Sequence, residues 1–311
     1  MRWSKFLLFG LLILLGGAAV VWPRQQWHIA MQPAAPIPAA VEKATVRVAA
    51  IQCAPRLGKV LYNRELLTTL VTQAAAKGAK ILVLPECAVQ GYMDPAAGRK
   101  WAVRASQEDE LDVSAVAEHV PGPATRYFGQ LSKQLGVYLA LPLIEAADEK
   151  YFNTLVLLDP NGEITAHHRK KALWAPGDGT WATAGERPAQ VVATPYGRLG
   201  LMVCYDLHQM PKELKRARAD IVLYAVGWYG PNPENFFGDV FPRLYVQPSG
   251  LAVVAANWSA EPRQDRWPGV GCSCVIDATG RVVAMASTAE GSEVVIADLP
   301  LPPRISVQEK E

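Results

Sequence analysis

The sequence predicts an α/β fold, with mixed β-sheets stacked as a sandwich and helices packed on the outer faces. Three observations point to it. Short strand patterns outnumber helical ones between residues 45 and 299. Several strands follow each other through tight turns, at Pro160-Asn161-Gly162, Pro195-Tyr196-Gly197 and residues 277–280, so the pattern is not a pure βαβ alternation. Half of the 311 residues are hydrophobic and only 19% are charged, enough to bury a large core and too few charges for wholesale disorder. No repeat of fixed period is visible.

The elements follow in order. Residues 45–53 (TVRVAAIQC) form a strand by their β-branched content. Asn63 caps a helix that runs to about Lys77, with Gly78 as its stop. Residues 80–84 (KILVL) are a short apolar strand ending at Pro85. A helix over 122–135 leads into a strand over 137–144. Strands at 151–159 and 163–168 form one hairpin, and strands at 190–194 and 198–203 a second. A short helix over 211–217 precedes a strand over 221–226. Strands at 251–256, 271–276, 281–284 and 293–299 complete the set, the middle pair joined by the third hairpin turn.

The N-terminus differs from the rest. Arg2 and Lys5 precede an uncharged run over residues 6–22, which as a helix would span roughly 26 Å. The basic start places the N-terminus inside and the remainder outside a membrane. Two readings compete: an uncleaved anchor, or a signal peptide with its apolar core at 6–15 and small residues Gly17 and Ala19 before the cut. Either one exports the domain, anchored on the outer side or secreted. Residues 23–44, with Pro33, Pro36 and Pro38 among alanines, read as a semi-extended linker. The division expected is therefore 1–22 segment, 23–44 linker, 45–299 domain and 300–311 tail.

Composition excludes several functions. Thirty-one basic against 29 acidic residues give +2, which is no electrostatic footprint for nucleic acid. The five cysteines are too few for a disulfide scaffold. No C-x-x-C, H-E-x-x-H, Walker A or G-x-G-x-x-G pattern occurs, so no metal or cofactor is expected.

Three reactive residues sit at strand ends, where a side chain is rigidly supported yet open. Glu86 follows an apolar strand and a proline. It is either a partly desolvated base or a solvated loop carboxylate. Lys170 and Lys171 end another strand, as an oxyanion-stabilising ammonium or as a basic surface turn. Cys204 stands at a strand-to-helix turn, where helix-terminal N–H groups favour the thiolate, or it is a small buried hydrophobe. Cys53, Cys87, Cys272 and Cys274 read as such hydrophobes.

Together these spots resemble the nitrilase superfamily of carbon–nitrogen hydrolases. Pro85-Glu86 with Gly91-Tyr92 is similar to its P-E-x-x-x-x-G-Y segment, and His168-Arg169-Lys170 with Leu173 to its H/Y-R-K-x-x-L segment. GLMVCYD, ending in Cys204-Tyr205-Asp206, is similar to its nucleophile segment. Ile144-Glu145 before Tyr151-Phe152-Asn153-Thr154 resembles the segment of the second glutamate, and Ala255-Ala256-Asn257 the late A-A-N strand end. The likeness covers about 45–299, with 84 residues from Glu86 to Lys170 and 34 from Lys170 to Cys204. It departs at His208, where the family usually has arginine, at Pro211, which arrives late, and at RLYVQPSG, where Pro248 interrupts an expected helix.

The resemblance implies a four-layer αββα sandwich, and the uncharged run at 6–22 adds one apolar helix before it. It implies a Cys204 nucleophile, Glu86 as base, and Lys170 with the Tyr205 backbone N–H on the oxyanion. Glu145 would orient Lys170 and help position water, and Lys171 would stay on the surface. Tyr92, Trp174, His208 and Trp228 would line a pocket for a small-molecule substrate. Further aromatics (Trp181, Tyr229, Phe236, Phe237, Trp258) belong to that pocket or to core and dimer packing. Cys-Tyr-Asp at the nucleophile favours amide over nitrile hydrolysis. The alternatives are N-acyl transfer with the same residues, a Cys204–His208 couple, or a tethered binding protein without catalysis. The family also implies a homo-oligomer.

Overall fold

Period-two burial along the strands decides how the layers stack. The computed structural model describes residues 44–94, 99–228, 230–260 and 269–301. The apolar run, all but the last residue of the linker, and nearly all of the tail lie outside these. The first half carries β1 (Thr45–Gln52), α1 (Val60–Ala76) and β2 (Ile81–Val83). A small sheet of β3 (Met93–Asp94), β4 (Arg99–Ala102) and β5 (Glu110–Asp112) follows. Then come α2 (Pro123–Leu135), β6 (Tyr138–Ala147), β7 (Lys150–Leu158) and β8 (Ile164–Arg169). The second half runs β9 (Val191–Thr194), β10 (Gly197–Val203), α3 (Met210–Arg216) and β11 (Ile221–Ala225). A helical segment over 233–249 leads to β12 (Ala252–Ala256), β13 (Cys274–Ile276), β14 (Val282–Met285) and β15 (Glu293–Pro300).

The strands form two six-stranded sheets, ordered β15-β1-β2-β6-β7-β8 and β14-β13-β12-β11-β10-β9. Each has a parallel centre, β1-β2-β6 or β10-β11-β12, flanked by antiparallel strands. The same order of pairings thus occurs twice, although the sequence carries no repeat.

In β1, Val46, Val48 and Ala50 pack with Leu199, Leu201 and Val203 of β10 between the sheets. Ala49 and Ile51 pack on the opposite face with Leu67 of α1 and Phe128 of α2. In the other sheet, Met202, Val222 and Tyr224 pack with Leu214 of α3 and with Phe237 and Phe241. The result is helix, sheet, sheet, helix. Burial on both faces is why the central strands read as nearly unbroken apolar runs. Each buried aliphatic side chain contributes about 1.5–3 kcal/mol.

Three expectations change. Asn63 is not the cap of α1, which starts at Val60 behind Lys59. Its buried amide instead accepts from Arg56 N and donates to the carbonyls of Arg56 and Val89, at 2.8–3.0 Å. Those loop groups outcompete the helix end for it. Pro248 does not abolish the helix before β12. The segment is π-wound over Phe236–Val240 and Pro242–Val246, with Pro242 opening the second stretch, and Pro248 sits in the closing α-helical turn Gln247–Ser249. The small sheet was not foreseen because its strands are two to four residues long. Among the described residues, no helix is long and apolar enough to cross a membrane.

Candidate active site

The ends of β2, β8 and β10 deliver Glu86, Lys170 and Cys204 to one place. Glu86 is fixed from both sides of its own backbone, since its N–H donates to Val226 O at 3.3 Å and its carbonyl accepts from Trp258 Nε1 at 2.9 Å. Its carboxylate accepts from Lys170 Nζ and from Asn153 Nδ2, both at 2.8 Å. Lys170 Nζ also pairs with Asp178 at 2.7 Å. All four side chains are buried.

The electrostatics follow from that burial. Desolvation pushes the Glu86 carboxyl above its ordinary value, with Lys170 opposing and Asp178 adding to the rise. Desolvation works against the Lys170 ammonium, but Glu86, the Cys204 sulfur and Asp178 overcome it and hold its pKa well above 10.5. The cation is therefore permanent at neutral pH.

Cys204 sits at φ +40°, a left-handed backbone conformation unusual for a residue with a side chain. The elbow is held by Tyr224, whose hydroxyl donates to Cys204 O at 2.9 Å. Asp206 ties the elbow to the Lys170 strand. Its carboxylate bonds His168 Nε2 at 2.7 Å and accepts the backbone N–H groups of Lys171, Ala172 and Val203 at 2.8–3.3 Å. The environment of the thiol works against the thiolate expected at this turn. Burial pushes the Cys204 thiol above its ordinary value, Glu86 adds to this, and Lys170 and the Gly227 N–H only partly offset it.

A cavity of about 260 Å³ opens over Cys204 and Glu86, walled by Tyr92, Trp174, Tyr205 and Trp228, with Gly227 and Gly230 beside them. A Cβ at Gly227 would collide with the Trp258 ring and come within 2.7 Å of Glu86 Oε2, so only glycine leaves the carboxylate room. Trp228 stacks on Phe236 with centroids 4.1 Å apart and planes at 4°. Its indole N–H is buried without a hydrogen-bond partner among the described residues. Trp181, Trp258 and Phe237 are buried in the packing, and Tyr229 lies outside the described residues.

Two expected site residues are elsewhere. Glu145 does not reach Lys170. Strand alternation puts Lys170 on the inter-sheet face and Glu145 on the helix-facing side, where it bonds Thr154, His167 and Arg169 at 2.6–3.0 Å. The place beside Lys170 is taken by Asp178. His208 is exposed, packs edge-on against Tyr205 at 4.5 Å and lines a neighbouring groove with Lys212 and Leu244. Lys171 is half-buried in an ion pair with Glu213 at 2.8 Å.

Asn153 and Asp178 are the residues that sequence reasoning missed. Asn153 lay inside a quoted motif, and only its strand phase shows that it faces Glu86. Asp178 stands between two glycines, and a Cβ at Gly177 would run into Tyr92 and Trp174. That Gly-Asp-Gly turn was the available signal. Tyr92 completes the link, donating to Asp178 Oδ1 at 3.1 Å and accepting its backbone N–H at 2.7 Å. Among the described residues no cluster could hold a metal ion.

With the fold and this geometry in hand, comparison with known proteins is direct. Residues 47–307 match the carbon–nitrogen hydrolase family, and the chain belongs to it. It is 28% identical over 248 residues to a hydrolase encoded in the pqqF 5′ region of Pseudomonas protegens, covering 79% of this chain and 80% of that one. It is 26% identical over 243 residues to an omega-amidase of Xenopus tropicalis, covering 75% and 80%. An amidase from Nesterenkonia shares the fold, with TM-score 0.67 at 24% identity over 84% of this chain and 92% of that one. The protein is thus a carbon–nitrogen hydrolase of the nitrilase superfamily.

Proposed function

We propose that the chain hydrolyses a small non-peptide amide through a thioester on Cys204. The observation that carries this is the buried Glu86–Lys170 ion pair at 2.8 Å, beside a nucleophile elbow that opens with Glu86 on one cavity. Burial raises the Cys204 thiol, and its proton passes to Glu86 as sulfur attacks the amide carbon. Lys170 and the Tyr205 backbone N–H take the negative charge on oxygen. Glu86 returns the proton to the leaving nitrogen, and R–CO–NH2 plus Cys–SH become Cys–S–CO–R plus ammonia. Water, deprotonated by Glu86, then releases the acid and restores the thiol. Asp178 and Asn153 hold Lys170 and Glu86 in register.

A solved Nesterenkonia amidase of this fold carries the acetamide moiety of fluoroacetamide covalently on its active-site cysteine, which supports the covalent step by analogy. The test is ammonia release from a panel of amides and nitriles. Release that is fastest on amides and absent in Cys204→Ala supports the reading. Unchanged release in the variant overturns it. The apolar run at 6–22 supports an exported, tethered or secreted, enzyme. Fractionation of cells expressing the full chain tests this, and recovery only in the cytosol would oppose it. The family resemblance supports a homo-oligomer, and sedimentation of the purified chain as a monomer would oppose that.

A further inference from the structure

The cavity over Cys204 has walls and charges that discriminate between amides. We propose that the substrate's acyl group is uncharged and apolar, and that Trp228, backed by Phe236, limits its length. This deepens the amidase reading above and rests on it.

The charge argument comes first. Glu86 opens on the cavity, with Lys170 and Asp178 behind it. That is two carboxylates to one ammonium, and both carboxylates already contact the ammonium, at 2.8 and 2.7 Å. Among the described residues no other cation lines the cavity. A carboxylate on the acyl chain would lose its water against this set and gain no cationic partner among the described residues.

The walls supply the positive half of the selection. Tyr92, Trp174, Tyr205 and Trp228 present ring surface. The volume of about 260 Å³ lies just below the roughly 300–1,000 Å³ usual for drug-sized ligands, so it suits a short acyl group. Trp228 is a rigid wall. Its backbone N–H donates to Asn257 Oδ1 at 2.8 Å, which fixes the main chain, and its ring lies flat on Phe236. Phe236 in turn meets the fully buried Phe237 edge-on at 5.1 Å. Swinging the indole aside to admit a longer chain would break that stack.

The test uses pentanamide and glutaramate, whose five-carbon acyl chains differ in the terminal carboxylate. Binding to Cys204→Ala is measured by calorimetry, and kcat/KM on the wild-type chain. Pentanamide should be favoured by at least about 100-fold in both. Equal or better binding of glutaramate overturns the proposal, and so does failure of pentanamide to bind. Selective binding of pentanamide without any ammonia release would support the selectivity and overturn the amidase reading. In Trp228→Ala the kcat/KM ratio of octanamide to pentanamide should rise at least about 10-fold, with a smaller rise in Trp228→Phe. Phe236→Ala should raise it too and covers the case of a misfolded Trp228→Ala. An unchanged ratio in the folded variants overturns the role of Trp228.

Discussion

Glu86 lies buried between an ammonium and a primary amide, and its chemistry follows from which neighbour wins. Burial raises its carboxyl pKa, Lys170 opposes that, and Asp178 adds to it. Glu86 must be ionised to accept the thiol proton. The acid limb of kcat/KM should therefore lie above the ordinary glutamate value of 4.5, activity falling as pH drops through it. Asp178→Asn removes a charge that raises Glu86, so the limb should move to lower pH. Glu86→Gln should lower kcat by about 10²–10⁴-fold at all pH values. A pH–rate series on the three proteins checks both, and an acid limb unmoved in Asp178→Asn would break the assigned coupling. Cys204 and Glu86 were legible as residues because each follows an apolar strand. Asp178 was not, because nothing in a Gly-Asp-Gly turn tells which buried group it will meet.

Elements meet through Asp206, which joins the β10 elbow to the end of β8. The carboxylate and His168 are both buried. Asp206→Asn puts an amide donor against donors in that set, which should destabilise the chain by about 1–3 kcal/mol. It should also slow alkylation of Cys204 by iodoacetamide, since the elbow loses its tie to the Lys170 strand. Thermal unfolding and labelling rate read the two effects separately. On the other face of the same sheet, burial raises the Glu145 carboxyl, but bonds from His167, Arg169 and Thr154 outweigh it and bring the pKa down to about 2. A lowered folded-state pKa means stability that is present above 4.5 and lost as pH falls toward 2. Glu145→Gln should cost about 3 kcal/mol at neutral pH and almost nothing near pH 2, measured as urea unfolding against pH. The sequence put Glu145 near the chemistry because its motif is close to Asn153 in the chain. The one-residue phase of a strand sends the two to opposite faces.

At the scale of the whole molecule, the surplus of short strand patterns and the hairpin turns made the sandwich legible. The boundaries of the longer strands fell within a few residues of expectation, as in 221–226 against Ile221–Ala225. What stayed hidden depends on tertiary context. The helical segment continues through Pro242 and Pro248, residues that ordinarily end a helix, and it persists because Phe237, Phe241 and Val246 bury against the second sheet. The repeated order of parallel and antiparallel pairs belongs to the backbone topology and leaves no periodic residue pattern. Bringing two sheets face to face is what converts three separate strand ends, 84 and 34 residues apart in sequence, into one site.

The most direct measurement is intact and peptide mass spectrometry of the chain quenched during turnover of pentanamide. The expected result is an adduct equal to the acyl group less one hydrogen, on the peptide that contains Cys204, absent from Cys204→Ala and accompanied by ammonia. Ammonia release at the wild-type rate by Cys204→Ala, or an adduct on another residue, would contradict a thioester on Cys204.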